Sequence, residues 1–406
     1  MVPNGWSAKP LADIVKEKIS YGIVQAGPHV PDGIPYIKSS DVRGTINPYS
    51  LQRTSQEIHF KYRRSSVHPG DIVFSLRGNI GESAIVPASL PEANLTQGTA
   101  RISVSAEHSN QFHYYQLASE KILNRINALS KGSTFKEISL EELRKVKVLC
   151  APLPEQKKIA KILSTWDRAI SNTEQLLANS QQQKKALMQQ LLTGKKRLLD
   201  KNGVRFSGEW KKVTLDSVAD MNSGGTPKSS IEEYYGGDIP WVSIADMTKH
   251  GKWISSTERN ISELGLANSS ARLYPENTIL YAMYASIGEC SIAKVPLCSS
   301  QAILGIRPKK SLYFEFLYFF LVSLKDEIKL QGQQGTQANL NAGMVKGFSL
   351  RLPCIEEQQK IADVLSTTDQ EIAALQQKLD ALKQEKKALM QQLLTGKRRV
   401  KVEEAA

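Results

Sequence analysis

KKALMQQLLTGK, Lys184 to Lys195, occurs again letter for letter at Lys386 to Lys397. With that offset of 202 residues held fixed and no gap, Glu155–Arg197 matches Glu357–Arg399 at 26 of 43 positions. EQKKIAKILSTWD opens the first copy and EQQKIADVLSTTD the second. A match of this length makes the chain a tandem duplication with a unit of about 200 residues. Solenoid repeats run only about 20–50 residues, so this is one domain-sized unit seen twice.

Both copies carry the spacing of a long helix. In the second, Ile361, Leu365, Thr368, Ile372, Leu375, Leu379, Leu382, Lys386, Leu389 and Leu393 fall at alternating steps of four and three. That is a heptad seam. The same register in the first gives Ile159, Leu163, Trp166, Ile170, Thr173, Leu177, Ser180, Lys184, Leu187 and Leu191. Pro152, Pro154 and Pro353 stand at the starts, and Gly194 and Gly396 follow with Lys and Arg just beyond, as helix C-termini prefer. Each helix is expected to span about 38 residues, roughly 57 Å at 1.5 Å per residue. Its apolar stripe needs a partner, and the other copy is at hand. A domain of about 150 residues between the copies predicts an antiparallel pair. The polar positions Thr173, Ser180 and Lys184 set register or leave room for a third helix. A coiled coil that only spaces two domains is the plainer alternative.

Composition bounds the rest. The 406 residues are 41% hydrophobic and 23% charged, ordinary for a globular protein. No apolar run approaches the roughly 18 residues of a membrane span. MVPNGWSAKPLADI does not read as a signal peptide. Four scattered cysteines, Cys150, Cys290, Cys298 and Cys354, fit a reduced, cytoplasmic protein. The net charge of +13 is uneven: +5 in residues 1–150, +6 in 151–201, +2 in 202–352 and 0 in 353–406. A polyanionic partner fits that balance.

The segments 1–150 and 202–352 share an order of landmarks. Gly33–Val42 (GIPYIKSSDV) answers Asp238–Met247 (DIPWVSIADM), both strand-like. His68–Pro87 answers Tyr274–Pro296, and Ser130–Ser139 answers Gln333–Ala342. Short β-branched or aromatic runs bounded by Gly, Pro, Asn or Asp read as strands and turns. Asn110–Leu129 and Tyr313–Leu330 read as helices. Each segment is therefore an α+β domain. Matched frames with different fillings suggest two targets read by one kind of surface.

No phosphate loop, dinucleotide fingerprint, zinc-type His/Cys spacing or nucleophile elbow is present in the sequence. Pro227 spoils the nearest phosphate-loop imitation, GGTPKSS, because it lacks a backbone N–H. Glu82 and Glu289 occupy matched positions and read more plainly as turn carboxylates than as catalytic acids. No metal ligands are expected. Nucleic-acid binding fits better. Arg and Lys position a protein on phosphates, and Arg, Asn and Gln read base edges. Candidates in the first domain are Lys38, Ser39, Arg43, Lys61, Arg63, Arg64, Arg77, Asn79, Lys131, Ser133 and Thr134. In the second they are Thr226, Lys228, Ser243, Lys249, Lys252, Tyr284, Ser286, Gln333, Gln334, Thr336 and Gln337.

The order domain–helix–domain–helix resembles the DNA-specificity subunit of Type I restriction–modification systems. EQ-x-x-IA-x-x-L-S-x-x-D from Glu155 and Glu357, with KKALMQQLLTGK closing each helix, is similar to that family's central and C-terminal conserved regions. Ser223–Met247 resembles the opening of one of its target-recognition domains. The resemblance implies a non-catalytic subunit with an α+β fold. Two target-recognition domains, 1–150 and 202–352, are separated and held by two long antiparallel helices in 151–201 and 353–406, a coiled-coil spacer with pseudo-two-fold internal repeat. Each domain would read half of a split, asymmetric site in double-stranded DNA. The helices would act as ruler and dock two modification subunits, which bind S-adenosylmethionine and methylate a flipped adenine. Restriction (translocase–nuclease) subunits using ATP and Mg would complete a defence against foreign DNA. The chain itself would carry no cofactor and meet no membrane. Two rivals stay open: an adaptor whose ends bind proteins, and an enzyme with a dispersed site.

The ruler reading makes a prediction. Four residues inserted in one helix add about 6 Å and are expected to lengthen the preferred gap between half-sites by about one base pair. Binding to a set of duplexes with graded gaps measures it, and an unchanged optimum contradicts the ruler.

Overall fold

The computed structural model describes residues 2–132, 136–334 and 340–402, with the side chains of 329–334 outside that set. The repeated segments form helices Leu153–Leu191 and Ile355–Leu393, 39 residues each. Both stop where the sequence places a glycine in the left-handed region, Gly194 at φ 73° and Gly396 at φ 67°. The last turns close through Lys196 N–H on Gln190 and Arg398 N–H on Gln392, both 3.1 Å.

The chain divides into two compact units, Met1–Glu174 with Gln377–Ala406, and Gln175–Gln376. Each unit takes the opening part of one long helix and the closing part of the other. Within each, the two helix segments run antiparallel, because ascending numbers pair with descending ones. In the first unit Glu155 meets Arg399 (2.7 Å), Asp167 meets Lys386, and Glu174 meets Lys383 (2.7 Å). In the second Glu357 meets Arg197 (2.6 Å) and Asp369 meets Lys184 (2.5 Å).

The apolar seam residues named above are all buried or half-buried. Their outer members do more than face a helix. Ile159, Leu163 and Leu393 pack with Trp6, Phe112 and Tyr115. Ile361, Leu365 and Leu191 pack with Phe316 and Phe319. The ends of the seam therefore fasten each globular part to its helix pair.

Each globular part carries the same sheets. In the first unit strands run Ser20–Tyr21, Thr99–Ile102, Ile72–Ser75, Ser83–Ile85 across an antiparallel sheet. A smaller sheet holds Arg53–Thr54, Ile34–Ile37 and Asn94–Leu95. In the second unit the order is Ala219–Ser223, Ile303–Pro308, Ile279–Ala282, Cys290–Ala293, with Trp253–Ile254 added at the edge. The smaller sheet there is Arg259–Ile261, Tyr235–Val242 and Cys298–Ser299. Successive side chains of a strand point to opposite faces. Accordingly Ile72 and Phe74 enter one core and Val73 another, as Ile279 and Tyr281 part from Leu280 and Ala282. Both central strands are buried on both faces, so their sequences run apolar without alternation. A two-stranded ribbon, Ser7–Pro10 with Lys147–Cys150 or Lys211–Thr214 with Ser349–Leu352, brings the start of each domain to its end, where the long helix departs.

Two sequence expectations change. Asn110–Leu129 is two helices, Asn110–Leu117 and Glu120–Leu129. Ser119 stands between them in extended geometry (ψ 142°), its hydroxyl on the Gln116 carbonyl at 2.6 Å. The strand-like runs Gly33–Val42 and Asp238–Met247 are strand only to Ile37 and Val242. Asp41 and Asp246 then accept the backbone N–H of Lys38 and Ser243 (2.8 and 2.9 Å), turning the chain into the short helices Ser39–Val42 and Ile244–His250.

Glu155 and Glu357 are only 3% and 1% exposed. Each accepts a forked guanidinium and an indole N–H at 3.1 Å, from Arg399 and Trp6 or from Arg197 and Trp210. Burial raises the Glu155 carboxyl, but the hydrogen bonds from Arg399 and Trp6 outweigh it and hold the group below the ordinary carboxylate range. Its stabilising contribution is present above the unfolded carboxylate pKa and is lost as pH falls through the depressed folded value. Glu155→Ala, which strands the indole and guanidinium, is expected to cost about 2 kcal/mol in urea unfolding at neutral pH. The difference from wild type should hold above the ordinary carboxylate range, about pH 4, and shrink only as pH falls below it through the depressed folded value.

Candidate nucleic-acid interface

At one end of each globular part, four matched segments converge. The first is a glycine turn that lies against the strand beside it. A Cβ on Gly22 would sit 1.9 Å from the Leu95 carbonyl oxygen, and one on Gly224 2.3 Å from that of Ser299. Only glycine admits this approach. The second is the strand-to-helix corner at Lys38 and Ser243. The third is a tight loop, Arg77–Gly81 or Tyr284–Gly288. It closes through Gly81 N–H on Ser75 (3.2 Å) and Gly288 N–H on Ala282 (3.1 Å). Gly78 takes φ 76° in the first, and Ala285 takes φ 59° in the second despite its Cβ. The fourth carries Gln97 or Gln301.

In the first unit these segments gather the sequence candidates. Arg43 donates to Asn79 Oδ1 at 2.6 Å, and Asn79 Nδ2 donates to the Ser39 carbonyl at 3.3 Å. Ser39 Oγ donates to the Gly98 carbonyl at 3.0 Å. Arg77 donates to Gln97 at 3.1 Å, and Lys38 to Gln52 at 3.2 Å. Tyr36 OH also holds Gln52, at 2.7 Å, and burial pushes its phenol up, so it stays a donor. Arg77 and Lys131 are both bridged to Glu137 through the backbone. A hollow of about 380 Å³, lined by Lys38, Ser39, Arg77 and Gln97 among others, opens between them. Lys61, Arg63 and Arg64 are exposed on the helix Gln56–Tyr62 and the turn that follows and do not line this hollow, with Arg63 over the Phe60 ring.

The second unit fills the same frame with other chemistry. Thr226 donates to Gln301. Tyr284 and Ser286 stand where the first unit has Arg77 and Asn79, and Tyr284 is exposed. Lys228 and Lys249 are exposed. Ser243 is occupied as a helix cap: its Oγ donates to Asp246 Oδ2 at 2.6 Å. Burial raises the Asp246 carboxyl, while hydrogen bonds from Ser243 and Glu258 bring it below its usual value.

Lys252 is a correction. Its ammonium lies 2.6 Å from Glu315, 2.9 Å from Ser366 Oγ and 4.7 Å from the Phe319 ring centroid. It ties the edge strand to a helix and is not available to phosphate. Glu289 is ion-paired to the Lys325 side chain. Ser133, Thr134, Thr336, Gln337 and the side chains of Gln333 and Gln334 lie outside the described residues. Gln97, Gln301 and Gln52 escaped the sequence reading. The first two sit at matched places in LTQG and SSQA, a signal visible only once the halves are aligned.

A family profile described as the Type I restriction modification DNA specificity domain matches twice, at residues 3–179 and 207–384. The specificity subunit of the type I restriction enzyme MjaIX of Methanocaldococcus jannaschii is 35% identical over 40% of this chain, and the chain spans only 38% of that relative's length. The MjaVIII specificity subunit of the same organism is 24% identical over 98% of this chain and 94% of its own. The solved structure of a type I restriction–modification S subunit from M. genitalium shares the fold, with TM-score 0.61 and 17% identity, over 97% of each chain.

The contrast between Lys252 and its neighbour Lys249 is testable. Lys252→Ala removes the ion partner of Glu315, which keeps the Ser366 hydroxyl at 2.7 Å, and is expected to cost about 2 kcal/mol. Lys249→Ala is expected to stay within about 0.5 kcal/mol. Urea unfolding midpoints of the two variants measure both.

Proposed function

The chain belongs to the Type I restriction–modification DNA-specificity family, and from that premise we propose that each of its two domains reads one half of a split, asymmetric duplex site. It is a specificity subunit that recognises DNA and assembles with other subunits, and it does no chemistry itself. The observation that carries the reading is the pair of matched loop platforms with different side chains. One presents Arg43, Arg77 and Asn79 where the other presents polar and aromatic groups. Arg pairs bidentately with guanine, and Asn or Gln with adenine. Different fillings on one frame suit different half-sites.

In this reading two modification subunits dock on the helix-bearing region and methylate an adenine in each half-site, and restriction subunits join them. S-adenosylmethionine, ATP and Mg belong to those partners, and the assembly works in the cytoplasm. Among the described residues no helix is long and apolar enough to cross a membrane. The charge supports a DNA partner, since positive charge concentrates in the first domain and its helix.

The test is methylation mapping. The chain is co-expressed with the modification subunit of its own system, and methylated adenines are located across a genome. One split motif with one modified adenine on each strand is expected, and exchange of residues 1–150 should alter only one half of it. Arg77→Ala should weaken binding of the assembled complex to that site by about 10- to 100-fold, the 1–3 kcal/mol of a base-specific pair. A soluble complex that adds no methylation overturns the reading and favours a protein adaptor.

A further inference from the structure

The two units superpose their anchoring contacts residue by residue, and one cluster departs from that match. Gln156 Oε1 accepts the Ser109 N–H at 2.9 Å, as Gln358 Oε1 accepts the Tyr313 N–H at 2.8 Å. His108, just before Ser109, therefore answers Leu312. Phe112 meets Trp6 edge-on at 6.0 Å, as Phe316 meets Trp210 at 6.4 Å. His113 therefore answers Leu317. Cys150 pairs with Ser7 in the ribbon, as Leu352 pairs with Lys211, so Cys150 answers Leu352.

The second unit fills all three places with leucine, buried in one core. The first unit fills all three with metal-ligating side chains. One ligand atom from each of His108, His113 and Cys150 lies within 4.8 Å of the other two. His113 is fully buried and Cys150 is 4% exposed, while His108 is half-buried and gives the cluster its way to solvent. His108 Nδ1 and His113 Nε2 are 3.4 Å apart. Among the described residues His113 Nδ1 has no hydrogen-bond partner. A buried, partly unsatisfied imidazole costs stability that a leucine would not. Packing alone does not ask for it, because leucine serves at the same place in the other unit.

We propose that His108, His113 and Cys150 hold a zinc ion that fastens the helix Asn110–Leu117 to the strand Lys147–Cys150. Zinc takes N ligands at about 2.0–2.1 Å and thiolate at about 2.3 Å, which sets tetrahedral neighbours roughly 3.3–3.6 Å apart. The two imidazoles already stand at that spacing, and a contraction of about 1 Å at the widest pair closes the set. The thiol releases its proton to solvent on binding. Three protein ligands leave a fourth position for water on the half-buried His108 side. The ion would lock the ribbon from which the first long helix departs, three residues before Leu153. The spacing rules for zinc motifs pass over this set because Cys150 is 37 residues from His113 in sequence.

The test uses the full chain, stripped with a chelator under reducing conditions and titrated with Co(II). One equivalent is expected to give the visible absorption of a tetrahedral cobalt site and a near-ultraviolet thiolate charge-transfer band, both bleached by Zn(II). Cys150→Ser should lose the charge-transfer band, and Cys354→Ser, at an exposed cysteine, should keep it. The triple variant His108→Leu, His113→Leu, Cys150→Leu copies the second unit. It should fold by circular dichroism, bind no cobalt, and show no rise in unfolding temperature with zinc, whereas wild type should show one. Absence of the band in folded wild type, or its persistence in Cys150→Ser or the triple variant, overturns the proposal.

Discussion

A carboxylate buried beside a guanidinium and an indole holds each half of this protein together. Glu155 and Glu357 are charged groups with almost no access to water, a costly arrangement unless every oxygen finds a donor. Both find them, in a planar fork from an arginine and a single N–H from a tryptophan. The tryptophan belongs to the start of the globular domain, the glutamate to the start of one long helix, and the arginine to the end of the other. Three distant stretches of chain are thereby fixed at one point. The arginines also stack over the indoles they share the carboxylate with, at 5.8 and 5.6 Å. About three turns further along, Lys386 and Lys184 repeat the device with Asp167 and Asp369, over the rings of Tyr115 and Phe319.

A fixed base leaves the far end of each domain free to vary. The backbone of the loop platforms is shared down to the individual hydrogen bond: Leu76 N–H reaches the Gly98 carbonyl at 2.8 Å, and Met283 N–H that of Ala302 at 2.9 Å. What differs is the side chains set on it. The cost of the frame is visible at Ala285, which keeps a left-handed backbone that its first-unit counterpart meets with glycine.

The helices were legible because period and repetition report one fact twice. The seam residues Ile159 to Leu191 and Ile361 to Leu393 are spaced by helical geometry, and the duplication removed ambiguity about where each helix starts and stops. The sheets were legible only as an ordered set of landmarks. Ile72–Ser75 and Ile279–Ala282 are buried on both faces and carry no alternation to betray register. The break at Ser119 went unread because the competing hydrogen bond of its hydroxyl leaves no mark on apolar spacing. At the candidate site, Arg77, Asn79, Arg43 and Ser39 were readable as polar residues in glycine-rich loops. Lys252 was misread for the converse reason. Its partners Glu315 and Ser366 lie 63 and 114 residues away, so an ion pair inside the fold looked like a surface cation.

The anchor exchanges its members between the repeats. Glu155 and Arg197 belong to the same copy of the duplicated sequence, yet they never meet. Glu155 binds the arginine of the second copy, and Arg197 binds the glutamate of the second copy. A single copy of about 200 residues thus holds a lock and a key that fit each other's twin and not one another. Two such copies on separate polypeptides would satisfy both pairs by facing each other reciprocally, as isologous subunits do. The duplicated chain thus has the contact pattern of an isologous dimer joined into one polypeptide. Identical subunits of a symmetric dimer must present identical surfaces, whereas two halves joined in one chain are free to differ, as the side chains on the two loop platforms do.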